Sequence, residues 1–176
     1  QGVINISSRD IAPEGDAQTM VALRLGSQMT SDTTVITENR SDSLAWRISA
    51  GYSSDEGTGG INGLDTDDFI RVARFSLEGE IAAGQDATLK LRGHAFSGHF
   101  NTGSSLFSPL GGDNDSLSTI ISATYEKQLD DGALKLTFFD QAFKDDAPDA
   151  ATPAFIESRT DDLRLQVTDM IGDANR

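Results

Sequence analysis

The sequence predicts an all-β protein: an antiparallel up-and-down meander of about eight strands that forms part of a transmembrane β-barrel. Three observations support this prediction. Apolar and polar residues alternate along several stretches of the chain, the links between these stretches alternate between short and long, and only 37% of the 176 residues are hydrophobic. No stretch approaches the roughly 18 consecutive apolar residues of a membrane helix, so a helical membrane protein is excluded.

The alternation is strictest in SLAWRISAGY, residues 43–52. Successive side chains of a strand point to opposite faces, so this stretch has one apolar and one polar face. ARFSLEGEI and ATLKLRGHA repeat the pattern, and SLSTIISATYEK and GALKLTFF continue it with Ile120 and Phe139 as exceptions. Strands are therefore expected near 19–28, 33–38, 44–52, 68–81, 87–98, 116–129, 133–144 and 155–169.

The links between the expected strands fall into two classes. NRSDS, AAGQDA and DDG are short and polar, whereas SSDEGTGGINGLDTDD, HFNTGSSLFSPLGGDNDS and DDAPDAATPA are long and rich in Gly, Asp and Pro. Outer-membrane barrels have short periplasmic turns and long external loops, so this segregation favours a barrel over a sandwich. Two alternatives stay open: a small self-contained eight-stranded barrel, and a soluble acidic β-sandwich that binds calcium or glycans through its loops.

Charge and residue types exclude several functions. The net charge of -14 argues against a nucleic-acid partner, because phosphate binding needs a basic surface. Without cysteine the chain has no disulfide and no thiolate nucleophile, and no catalytic motif occurs, so we expect neither an enzyme nor a bound cofactor. His94 and His99 are an odd number of residues apart and are expected on opposite faces, which argues against a shared metal site.

Two smaller expectations concern the ends of the barrel. Tyr52 and Trp46 are expected toward its outer side and Tyr125 toward the periplasm, where aromatic girdles lie. The acidic runs GLDTDD and GGDNDS are expected to be solvated loop tips rather than calcium sites, since neither fits the EF-hand pattern.

Four stretches resemble TonB-dependent outer-membrane receptors. GVINI, residues 2–6, resembles the end of the plug domain, and SDSLAWRISAGYSSDEG resembles the second barrel hairpin. DATLKLRGHAF is similar to the strand after a periplasmic turn, and TDDLRLQVTD to a descending strand. The resemblance implies that residues 1–15 end a plug domain and that residues 16–176 form the N-terminal part of the barrel. The TonB box, most of the plug and the terminal aromatic residue of such receptors have no counterpart here, so a fragment is expected.

The resemblance also implies a function in transport. Such receptors of the Gram-negative outer membrane import a scarce ligand, with a ferric siderophore expected first and haem, cobalamin or a glycan as alternatives. The energy comes from the TonB-ExbB-ExbD complex, which acts on the full-length protein. Candidate ligand-binding residues are the polar side chains expected to face the lumen: Arg47, Arg74, Lys90, Arg92 and His94. The alternative for the cations among them is that they form ion pairs across neighbouring strands.

Overall fold

The computed structural model describes residues 11, 15–27, 29–57, 69–101, 112–147 and 154–169. These residues form eight strands: β1 (Gly15–Leu25), β2 (Ser31–Arg40), β3 (Leu44–Asp55), β4 (Ile70–Ala82), β5 (Ala87–Asn101), β6 (Asp113–Leu129), β7 (Gly132–Ala147) and β8 (Ala154–Asp169). The predicted all-β class and the eight-stranded antiparallel meander are confirmed. Within these ranges, no helix has the length and apolarity that crossing a membrane requires.

All eight strands belong to one sheet, in which each strand pairs with its neighbour in the chain. The connections 41–43, 83–86 and 130–131 lie at one end of the sheet, which we call the short-link end. The strand ends joined through residues 26–30, 56–69, 102–112 and 148–153 are at the opposite, long-link end. The predicted segregation of links by length is therefore present, although the first connection at the long-link end is itself brief.

The strand bounds differ from the predicted ones at two informative places. β1 begins at Gly15 instead of near residue 19. β6 begins at Asp113, so most of the run GGDNDS lies in a strand and the prediction of a loop tip there was wrong. Its carboxylates have partners on β5: the Asn101 side-chain amide donates to Asp113 at 2.9 Å, and Asp115 contacts His99. The run GLDTDD lies outside the described residues.

The register assigns every strand residue to one of two faces, because paired residues point to the same side of a sheet. One face, the apolar face, carries the hydrophobic positions of the alternating stretches. On β3 to β8 it includes Leu44–Tyr52, Ala73–Ile81, Leu89–Ala95, Leu117–Tyr125, Leu134–Phe138 and Leu163–Val167 at alternate positions. The opposite, polar face carries most of the charged and hydroxyl side chains.

The described sheet is a single layer without a hydrophobic core of its own. Its buried hydrophobic residues are Ile11, Ala45 and Ala87, whereas large apolar side chains remain open, such as Leu163 at 70% and Leu23 at 66% exposure. Burying one large apolar side chain contributes roughly 1.5–3 kcal/mol, so leaving this many in water opposes folding. The apolar face therefore requires an apolar surrounding.

The apolar segments do not run straight across the sheet but slant toward the short-link end. On β1 the apolar segment is Val21–Leu25, with Leu23 at its centre. We call the residues that are paired across successive strands a row, and the row that starts at Leu23 reaches β8 at Glu157. The apolar segment of β8 is centred instead on Leu165, eight residues further along. At roughly 3.4 Å per residue and about 4.8 Å between strands, this shift corresponds to a slant of roughly 39°. Strands of membrane barrels tilt by about the same angle, roughly 35–45°.

The positions of the aromatic residues agree only partly with the prediction. Tyr52 lies toward the long-link end and Tyr125 toward the short-link end, as expected. Trp46 is the third residue of β3, which starts at the short-link end, so its placement near Tyr52 was wrong. The three side chains nevertheless share the apolar face, at or near the two limits of the apolar segments.

Charged residues replace apolar ones on the same face beyond the apolar segments of β7 and β8. Asp140 follows Phe138 by two residues and is paired with Asp161, while Arg159 Nε donates to Asp140 at 2.9 Å. This charged row is level in the register with Ile121 of β6, so the apolar segments of β7 and β8 end nearer the short-link end than that of β6 does.

Candidate functional site

All five predicted site residues lie on the polar face. Arg47 on β3 and Arg92 on β5 are in the same row, with Glu78 between them on β4. Lys90 and His94 flank Arg92 on the same side of β5, and Arg74 lies on β4 beside Phe96. The structure thus brings these five side chains to one surface, although it gives them different partners.

The most protected ion pair of the polar face joins Arg47 to Glu38. Arg47 Nε donates to Glu38 Oε2 at 2.7 Å, and Arg47 Nη1 lies 3.6 Å from Glu78 Oε2. Both members are buried, with Glu38 at 5% and Arg47 at 8% exposure. Buried charges of this kind require their partners, so Arg47 is held in the sheet and is poorly placed to reach a ligand.

The lysines of the polar face also have acidic partners. Lys90 Nζ and Lys135 Nζ each donate to the Glu126 carboxylate at 2.8 Å, one from either neighbouring strand. Arg40 Nη2 lies 3.7 Å from Glu80 Oε2. The cross-strand ion pairs considered from the sequence are therefore present for Arg47 and Lys90.

Arg74 reaches across a neighbouring strand to its partner. Its Nη2 donates to Asp32 on β2 at 2.7 Å, although β3 lies between them. Arg74 crosses β3 over Gly51, where an added Cβ would be in van der Waals contact with Arg74 Nε at 3.5 Å and a larger side chain would crowd it. The same Cβ would lie 3.2 Å from the Thr33 carbonyl oxygen, closer than most real Cβ contacts.

We expect Gly51→Val to destabilise the sheet by about 1–3 kcal/mol, because the added side chain overpacks this crossing and displaces Arg74. The measurement is urea unfolding of the wild type, the single variants and the double variant with Asp32→Asn. If the valine side chain breaks the Arg74–Asp32 pair, Asp32→Asn has almost no additional effect in the Gly51→Val background. Gly93→Val is the matched control, since a Cβ at Gly93 meets no atom within 4 Å.

Beside this crossing the polar face contains a depression of about 430 Å³. We call it the β3–β6 depression, after the strands that supply most of its lining. Its side chains combine a guanidinium, an imidazole, a phenyl ring, an alkyl group and several hydroxyls: Arg74, His94, Phe96, Ile120, Ser49, Ser76, Ser118 and Thr34. The volume lies within the roughly 300–1,000 Å³ of small-molecule sites.

Sequence analysis found only part of this depression. Arg74 and His94 were predicted site residues, and Ile120 appeared as an exception to the alternation. Phe96 was missed, although the alternation of ATLKLRGHA extended by one residue places it on the polar face. An apolar residue on a predicted polar face was therefore the signal for this site.

The two histidines lie on opposite faces, as the spacing predicted. His94 is paired with Ser76 and Ile120 on the polar face, whereas His99 on the apolar face contacts Asp115, with Nδ1 and Oδ1 2.7 Å apart. The described ranges contain no group of three or more His, Asp or Glu side chains arranged to hold a metal ion. The ring of His99 also lies 5.0 Å from that of Phe69, between centroids.

Comparison of the chain with protein-family models, with curated proteins and with solved structures gives no match.

Proposed function

We propose that this sheet is part of an outer-membrane β-barrel, with its apolar face toward lipid and its long-link end toward the cell exterior. The slant of the apolar segments is the observation that carries the proposal. Barrel strands are tilted to the membrane normal, so the part of each strand that faces lipid is displaced along the chain from one strand to the next. The segment Leu44–Tyr52 of β3 would span roughly 21 Å along the membrane normal, near the roughly 25 Å apolar height of such barrels. A sandwich would require a second sheet, and the described strands form one.

The test uses the single tryptophan of the chain, Trp46, which lies on the apolar face. After reconstitution of the full chain into vesicles of brominated phosphatidylcholine, we expect strong quenching of Trp46 fluorescence. The matched control is a Trp46→Phe, Ser122→Trp variant, whose tryptophan lies on the polar face and should be quenched far less. A protein that stays monomeric in plain buffer with unquenched Trp46 would refute membrane insertion.

We further propose that the barrel belongs to a TonB-dependent receptor that imports a scarce ligand. The resemblance of the four stretches supports this assignment, and a polar face lined by ion pairs is suited to a water-filled lumen. Most of the expected plug end, residues 1–15, lies outside the described residues. Ile11 within it is buried, and its carbonyl oxygen accepts a hydrogen bond from Arg40 Nη2 at 3.5 Å. This contact puts Ile11 itself beside Arg40, whose side chain is on the polar face.

Sequencing the gene on both sides of this segment tests the receptor proposal. We expect an upstream signal peptide, TonB box and plug, together with many downstream strands that end in an aromatic residue. A start codon just before Gln1 and a stop codon just after Arg176 would contradict it. Energised uptake through TonB-ExbB-ExbD would then have no basis in this chain.

One observation favours the small closed barrel as a second candidate. Because the number of strands is even, β1 and β8 run antiparallel and are able to pair. Extending the same slant by one more strand spacing would place Leu165 opposite Leu23 or Leu25. The chain has no cysteine, so Leu25→Cys, Leu165→Cys is a clean probe. An intramolecular disulfide formed in lipid would support the closed barrel, and its absence would support a larger one.

A further inference from the structure

We propose that the β3–β6 depression binds an uncharged ligand that combines a flat apolar ring face with hydroxyl groups, the chemistry of a sugar ring. The inference rests on the proposed function, because it assigns the ligand class of a lumen-facing site. It departs from the expectation of an anionic ferric chelate.

The first argument is that most cations of the polar face already have carboxylate partners. Arg40, Arg47, Arg74, Lys90 and Lys135 each have a carboxylate partner within 3.7 Å. Arg92 lies opposite Glu78 in the register but has no ion pair among the described residues, and the whole chain carries a net charge of -14. An anion entering the depression would compete with these carboxylates in an acidic protein, so the electrostatic field favours an uncharged ligand.

The second argument is the exposed phenyl ring of Phe96. Exposed apolar residues on the opposite face require lipid, but Phe96 is 37% exposed on the polar face, where lipid cannot cover it. Its ring lies against Gly98, since a Cβ there would be 3.1 Å from the Phe96 Cε1 and Cζ atoms. One side of the ring is therefore supported by the strand, and Phe96 is available to stack on a flat ligand.

The third argument is the set of neutral hydrogen-bonding groups around the ring. The hydroxyls of Ser49 and Ser76 bond to each other across β3 and β4, and Ser118 is paired with Phe96 across β5 and β6. Hydroxyls donate and accept, as do the hydroxyls of a sugar. Within the described residues His94 makes no hydrogen bond or ion pair, so its imidazole remains available for one more polar contact.

The experiment compares two probes that share an aromatic ring and differ in charge. The full chain in detergent micelles is titrated with 4-nitrophenyl β-D-glucopyranoside, which is uncharged, and with 4-nitrophenyl phosphate, which is anionic. Equilibrium dialysis gives both affinities, and NMR spectra show which resonances move. We expect the glucoside to bind at least about tenfold more tightly and to perturb the His94 and Phe96 resonances.

Three variants connect the affinity to the depression. We expect Phe96→Ala to weaken glucoside binding about tenfold through loss of stacking. Gly98→Ala keeps the ring but displaces it from the strand, and should weaken binding as well. Phe138→Ala removes an exposed ring from the apolar face and should leave the affinity unchanged.

Tighter binding of the phosphate, no binding of the glucoside, or an unchanged affinity in Phe96→Ala would each overturn the inference. Trp46 quenching is measured after the same purified protein has been transferred from micelles into brominated-lipid vesicles. Without quenching the proposed membrane function fails, whatever the probes do. With quenching but without glucoside binding, only the ligand class assigned here fails.

Discussion

Glu38→Gln is expected to lower the free energy of unfolding by about 3 kcal/mol, because it leaves the buried Arg47 guanidinium without its closest carboxylate. Arg47 then retains Glu78, whose carboxylate is more distant at 3.6 Å. The measurement is urea unfolding of the chain folded in lipid vesicles, followed by Trp46 fluorescence. Removing both charges in Glu38→Gln, Arg47→Met should recover most of the loss, since neither member of the pair is then a buried charge without its partner.

An exposed ion pair provides the matched control for this prediction. Glu56 pairs with Arg71 at 3.1 Å, but both side chains are about half exposed to solvent. Glu56→Gln should therefore change the stability by less than about 1 kcal/mol. Equal effects of Glu38→Gln and Glu56→Gln would mean that the polar face is fully solvated and that burial does not strengthen the Glu38–Arg47 pair.

Ala123→Arg is expected to destabilise the lipid-inserted chain by about 2–4 kcal/mol, because it places a charge in the lipid-facing apolar segment of β6, between the paired residues Leu91 and Phe138. Ser122→Arg alters the preceding residue of the same strand and points to the polar face, where the expected cost is below about 1 kcal/mol. Both variants are measured by unfolding from lipid vesicles.

The difference between the two arginine variants is the informative quantity. If Ala123 faced water in the functional protein, arginine there would cost little and would improve solubility, because Ala123 is already partly exposed in the isolated sheet. Equal costs at both positions would thus remove the assignment of the apolar face to lipid, whatever the absolute stability.

Much of the fold was predictable, because the alternation of apolar and polar residues along a strand can be recognised in the sequence itself. SLAWRISAGY placed Trp46 and Arg47 on opposite faces, and the register confirms both placements. The error of placing Trp46 toward the same end as Tyr52 was avoidable, since a strand that follows a short link must begin at the short-link end. Strand bounds at Gly15 and Asp113 were missed because Gly, Asp and Asn are common in turns as well as at strand ends.

The partners of the site residues were less predictable, because they depend on register and on side-chain reach. Glu38 was not identified before the structure, although the three-residue link 41–43 places it opposite Arg47. The contact of Arg74 with Asp32 skips a strand and passes over Gly51. Pairing rules for adjacent strands give no indication of such a contact.

The meander has a consequence for how the sheet gains and loses stability. Among the described strands, each one contacts only its neighbours in the chain, so the sheet is in effect a one-dimensional array of hairpins. In such an array any hairpin is able to nucleate folding, and unfolding proceeds inward from the two terminal strands. Removing one interior pair of strands would bring together two strands that still run antiparallel, so the width of the sheet is adjustable in steps of one hairpin.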